Sequence, residues 1–165
     1  GWAREQPVPS DLYRFLEEDD ESIGLRLNGR DFEGLEVRGR QFVISRRWSS
    51  RDVLEIDFPM PVRRVVAHPS VEDAKGKVAI QRGPLVYAVE DTDHDGSVEG
   101  LMLIPEPDLR SEFRRGLLGG VAVVRGWVTR GSADDPSFDL TAIPYFAWGN
   151  RGAGGMKVWL PVAPP

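Results

Sequence analysis

The sequence predicts an all-β protein: antiparallel β-sandwich architecture, in one or two sandwiches, with one short N-terminal helix. Three observations carry this. Apolar residues recur at period two over short runs, as on a sheet with one buried face. The 18 glycines and 13 prolines punctuate those runs at short intervals, as turns do. Asn28-Gly29 lies between two such runs and supplies the two left-handed positions of a tight hairpin.

In chain order, the helix is expected first. In Val8-Pro-Ser-Asp-Leu-Tyr-Arg-Phe-Leu-Glu17, Ser10 can cap and Asp11 suits the positive end of the helix. Leu12, Phe15 and Leu16 share a helical face, which places the helix near 10–17. The acidic run Glu17-Glu-Asp-Asp-Glu21 ends it as a solvated loop. Strands are then expected at 23–27, 32–37, 41–46, 53–58 and 62–67, with Pro59 and Pro61 marking a sheet edge or crossing by removing ladder donors.

Lys77 to Glu90 reads as a long extended stretch, broken at Arg82-Gly83-Pro84 by a bulge or sharp bend where a strand can change sheets. Residues 121–129, 138–146 and 156–160 complete the set. Glu106 to Gly120 stays open, because Phe113, Leu117 and Leu118 have helical spacing while Gly116, Gly119 and Gly120 oppose a helix.

Composition narrows the function. The net charge of −5 gives no reason to expect nucleic acid or an anionic membrane surface as a partner. No apolar run approaches the roughly 20 residues of a bilayer-spanning helix. Zero cysteines excludes disulfides, thiolate metal ligands and a Cys nucleophile within these residues. The sequence leaves the compartment open. Gly-Trp-Ala-Arg-Glu has neither an initiator Met nor a signal-peptide pattern, so we expect a segment of a longer protein.

Candidate chemistry is sparse. Asp91-Thr-Asp-His-Asp-Gly96 copies the opening of a calcium loop, with carboxylates at Asp91, Asp93 and Asp95. Position twelve is Met102 rather than an acid, so a polar turn is the simpler reading. His68 and His94 have no zinc-type spacing to a second nitrogen or sulfur ligand. No serine stands in a Gly-x-Ser-x-Gly context. Glycoside hydrolysis needs two facing carboxyl groups, and sequence alone pairs none of the 26 acids.

The most distinctive phrase lies near the C-terminus, where Tyr145, Phe146 and Trp148 crowd against Asn150 and Arg151 before a Gly-rich stretch. Tyr145, Trp148, Asn150, Arg151 and the more distant Arg82 are candidate contacts for carbohydrate or for a neighbouring domain. Arginines in such loops also commonly satisfy carbonyls or a buried carboxylate, and tryptophans commonly belong to cores and interfaces.

An ordered set of phrases resembles the C-terminal region of family-127 glycoside hydrolases, a bacterial family whose characterised members are β-L-arabinofuranosidases. The phrases begin with Gly1-Trp2-Ala3, Val8-Pro-Ser-Asp-Leu-Tyr13, Leu27-Asn-Gly29, Arg47-Trp48, Pro59-Met-Pro61 and Gly76-Lys-Val-Ala79. They continue with Gln81-Arg-Gly-Pro-Leu-Val-Tyr87, Ile143-Pro-Tyr-Phe-Ala-Trp-Gly-Asn-Arg-Gly152 and Met156-Lys-Val-Trp-Leu-Pro161.

The resemblance implies β-sandwich domains following a catalytic (α/α)6 barrel, in which a Glu and a zinc-bound Cys do the chemistry. None of those catalytic residues can be carried onto this chain. It implies a non-catalytic accessory region supporting that upstream barrel, with no cofactor of its own and any zinc held in the barrel. A carbohydrate-binding module built on the Tyr145–Arg151 loop is the alternative.

The expected division is residues 1–84, the remainder of a first sandwich, and residues 85–165, a C-terminal sandwich. Such a division would leave an unpaired sheet edge, which a second copy in a homodimer or the N-terminal segment could cover.

Overall fold

The computed structural model describes residues 11–17, 23–32, 34, 36–38, 41–106, 108–132 and 134–164. Its strands are β1 (Tyr13–Phe15), β2 (Gly24–Leu27), β3 (Arg30–Asp31), β4 (Glu36–Arg38), β5 (Gln41–Val43), β6 (Leu54–Asp57), β7 (Val62–Ala67) and β8 (Lys77–Arg82). Further on come β9 (Leu85–Glu90), β10 (Met102–Ile104), β11 (Arg110–Arg114), β12 (Val121–Thr129), β13 (Phe138–Pro144), β14 (Met156–Lys157) and β15 (Trp159–Pro161). The pairings between these strands are antiparallel, and helical structure among the described residues is limited to single 3-10 turns, so the all-β sandwich reading holds.

Two small sheets come first. β2 and β3 form the expected hairpin around Asn28 and Gly29, with φ of 53° and 76°, and β6 pairs along the other side of β2. β4 and β5 form a separate two-stranded ribbon.

The main sheet is organised by the β8–β9 hairpin. Its two strands pair only near the turn, Gln81 with Val86 and Arg82 with Leu85. Beyond that they splay, and the final strand fills the gap between them. β14 runs beside β9, and β15 runs beside β8. The splay separates two layers, β1-β7-β8-β15 on one side and β14-β9-β13-β12 with β10 and β11 on the other. A bridge from Val162 to Leu103, with Ala163 N–H donating to the Leu103 carbonyl, ties the chain end to β10.

The core lies between the layers, where alternation aims the side chains. Val78, Ile80 and Leu160 meet Tyr87, Val89, Leu103, Val124, Val128, Leu140 and Ala142, each 2% exposed or less. A second cluster sits on the opposite face of β12 and β13, where Leu117 and Leu118 close over Val121, Val123, Ile143 and Ala147.

Two expectations are corrected. Tyr13–Phe15, inside the expected helix, is a strand registered on β7, with Tyr13 opposite Ala67 and Phe15 opposite Val65. The pairing extends to Leu16 N–H on the Arg64 carbonyl and His68 N–H on the Leu12 carbonyl. Non-local pairing of a Tyr-Arg-Phe alternation outweighs a weak local helix pattern. Residues 8–10 of that expected helix lie outside the described residues.

Gly83-Pro84 is a two-residue hairpin turn within one sheet, where a bulge or a sharp bend between sheets was expected, with Gly83 at φ 53°. Gly first and Pro second suit a II′ turn, which needs a positive φ only at its first position. The expected boundary between Pro84 and Leu85 falls on this turn, with the strands either side in one sheet and their side chains in one core. Lastly, the open segment 106–120 contributes β11, paired along β12. β10 had no expectation attached to it.

Candidate functional site

The loop after β13 is where the candidate residues gather. Pro144 ends β13, and Tyr145–Ala147 form one 3-10 turn. Side chains three apart eclipse in such a turn. The rings of Tyr145 and Trp148 accordingly lie 6.1 Å apart, tilted by 31°. Ala147 points inward to the second core cluster. Tyr145, Phe146 and Trp148 stay 47%, 67% and 43% exposed.

The polar members of the loop face the protein itself. Arg151 donates from Nε to Glu90 Oε2 at 3.1 Å and from Nη1 to Asp93 Oδ1 at 2.9 Å, while its Nη2 reaches both carboxylates. Glu90 closes β9 and is only 5% exposed. Its other oxygen accepts the Gly149 N–H at 2.9 Å, so one buried carboxylate holds the loop at two points. The Asp93 carboxylate beside the guanidinium raises the Arg151 pKa from its ordinary value, against the opposing effect of burial, and Glu90 adds to the rise. Asn150 donates to the Ala147 carbonyl at 3.0 Å, closing its own turn.

The far end of the loop is fastened by Asp91. Its carboxylate accepts the N–H of Val98 at 2.7 Å and that of Gly155, and its own N–H donates to the Gly155 carbonyl. A Cβ on Gly155 would meet that carboxylate at 2.8 Å, which explains a glycine there without any appeal to positive φ. Asp91, Asp93 and Asp95 therefore do not converge. The first ties the loop, the second pairs with Arg151, and the third is exposed at φ 56°. Among the described residues no group of three or more His, Cys, Asp or Glu could hold a metal ion.

His94 has a structural place in the same region. Nδ1 bonds to the Glu90 carbonyl at 2.8 Å, and Nε2 accepts the Thr141 N–H at 3.3 Å. β9 pairs with β13 only over Ala142–Pro144, so the imidazole takes a ladder donor that β9 leaves behind.

Arg82 stands at the end of β8 beside Tyr87, with its Nε buried and without a partner among the described residues. The structure thus brings Tyr145, Trp148, Asn150 and Arg151 together on one loop, while Arg82 belongs to the β8–β9 turn. Sequence reasoning missed Glu90 as a member of the site, and noted Phe146 among the loop's aromatics without naming it a candidate contact. Glu90 carried one usable signal, a lone acid closing an apolar strand.

These observations describe an antiparallel β-sandwich domain with an aromatic, ion-paired loop and no assembled catalytic constellation among the described residues. Within that class the chain belongs to glycoside hydrolase family 127, and residues 62–161 match that family's C-terminal domain. It is 30% identical to the non-reducing end β-L-arabinofuranosidase of Bifidobacterium longum subsp. longum, over 84% of this chain and 24% of that protein.

Among solved structures, a GH127 β-arabinofuranosidase superposes with a TM-score of 0.85 at 34% identity, covering 98% of this chain and 26% of its own. A GH127 β-L-arabinofuranosidase from Geobacillus stearothermophilus T6 superposes with a TM-score of 0.71 at 33% identity, covering 86% and 25%. The chain therefore spans about a quarter of the length of these relatives.

Proposed function

We propose that this chain is a non-catalytic accessory region of a β-L-arabinofuranosidase-like glycoside hydrolase, and that it supports a catalytic (α/α)6 barrel formed elsewhere in the parent polypeptide. The observation that carries this reading is the Glu90–Arg151–Asp93 cluster. Two acids do approach one another here, as a glycosidase requires, but both are engaged with the same guanidinium. Glu90, 5% exposed, also offers no face to a sugar.

The absence of cysteine removes the thiolate that the family resemblance implies for the zinc site. Any zinc in the parent then belongs to the barrel, and no step of the chemistry is placed on these residues. Purified chain incubated with an aryl β-L-arabinofuranoside is expected to release no aryl alcohol. Turnover that scales with the amount of this polypeptide would sink the proposal.

The exposure of Tyr145 and Trp148 keeps one competing reading, a carbohydrate-binding module. Sugar sites pair an aromatic platform with convergent polar groups, and here Asn150 and Arg151 are both taken internally. Titrating the chain with arabinosides and plant oligosaccharides should leave its Trp fluorescence unchanged. Saturable quenching would favour the module instead.

A further inference from the structure

From the Tyr145–Trp148 turn we infer that these rings form the docking face by which this domain seats on the remainder of its parent polypeptide, an inference that rests on the accessory reading above. By ordinary ring areas the exposed parts of Tyr145, Phe146 and Trp148 amount to roughly 300–400 Å². The Tyr145 and Trp148 rings lie side by side, 6.1 Å apart, with Phe146 exposed on the same turn, and exposed apolar area of this extent is often functional.

The turn that carries the rings is fastened to the domain on both sides. Ala147 anchors the turn in the second core cluster, Gly149 is held by Glu90, and Arg151 is clamped between Glu90 and Asp93. A preformed aromatic platform loses little conformational entropy on docking, which suits a permanent interface.

Two facts choose the occupant. The side chains of Asn150 and Arg151 are turned onto the protein, so the rings present an apolar rather than a sugar-reading surface. The relatives are about four times as long as this chain, so a large polypeptide surface accompanies this domain in them. Aromatic rings with their polar neighbours satisfied internally match the apolar centre of an interface between protein domains.

Hydroxyl-radical footprinting of the intact parent tests this, with the denatured protein as the full-exposure reference. Phe146 is 67% exposed in this domain. In the native parent its oxidation rate is expected to fall to about a tenth of the denatured rate or less, as for a ring at an interface centre, with Tyr145 and Trp148 falling alongside. Rates near those of the open rings would overturn the inference. So would protection that appears only with added arabino-oligosaccharide, which makes the rings a sugar platform. Protection that follows protein concentration would equally overturn it, because the partner is then a second copy.

Phe146→Ser in the intact parent provides a second readout and is expected to split one thermal transition into two. An unchanged single transition counts against docking. The accessory reading fails separately, if deleting this whole domain leaves the parent's stability and turnover unaltered.

Discussion

Glu90, the last residue of β9, holds Arg151 at a sequence separation of 61, and through it fixes the aromatic loop to the sheet. The guanidinium also grips Asp93, which makes one cation the common partner of two acids. Side-chain exposures of 17% for Arg151 and 6% for Glu90 put the pair largely out of water.

Removing the cation is therefore expected to cost more than removing one anion. Arg151→Met leaves the Glu90 carboxylate buried with only the Gly149 N–H, and by the usual penalty for orphaning a buried charge it should lose about 3–5 kcal/mol. Glu90→Gln leaves Arg151 on Asp93 and should lose about 1–3 kcal/mol, the range for a charged hydrogen bond. Urea unfolding of the two variants checks the order. Equal losses would mean that the pair does not act through a buried charge.

Much of the sheet was legible in the sequence because its signal is local. β7, β8, β9, β12 and β13 lie where apolar alternation put them, and Asn28-Gly29 turns where that dipeptide must. What escaped is non-local. Tyr13–Phe15 is a strand because β7 offers it a ladder, and β11 exists because β12 is long enough to carry β10 and β11 one after the other. At the site, the aromatics of the loop were legible and their partner was not. No spacing rule links a strand-end Glu to an Arg 61 residues later.

His94 shows the same dependence on distant partners and supports a second prediction. Its ring is 1% exposed and bridges the Glu90 carbonyl and the Thr141 N–H. His94→Phe preserves bulk but strands a buried N–H, at about 1–3 kcal/mol. Amide hydrogen exchange at Thr141 should quicken in that variant by more than at Val124. Unchanged protection at Thr141 would show that water or another acceptor takes the imidazole's place.

Tyr87 supports a third. Burial raises the phenol pKa above its ordinary 10.0, and the hydroxyl donates to the Ala122 carbonyl at 2.9 Å. A phenol with a raised folded pKa keeps its contribution below the unfolded value and loses it as pH climbs through the folded one. Wild-type stability should therefore fall above about pH 10. Tyr87→Phe should be less stable by about 1 kcal/mol at neutral pH, the net value of one hydrogen bond, with a flatter alkaline limb. Parallel alkaline limbs would rule Tyr87 out as the titrating group.

Asp52 supports the last prediction, on the acid side. Its carboxylate accepts the Asn28 amide at 3.0 Å and the Ser49 N–H at 2.9 Å, with Arg46 at 3.1 Å. The Asn28 bond first, then the Ser49 bond, lowers its pKa below the ordinary 3.8. An acid with a depressed folded pKa contributes fully above its unfolded value, and that contribution is lost as pH falls through the folded one. Asn28 also accepts the Val53 N–H at 2.9 Å, so the carboxylate steadies the contact between the β2–β3 turn and the residue that leads into β6. Asp52→Asn should unfold at lower urea than the wild type at pH 7, and the difference should narrow as pH falls below the ordinary carboxylate value of 3.8. A difference that persists undiminished at the acid end would assign the effect to the shape of the side chain rather than to its charge.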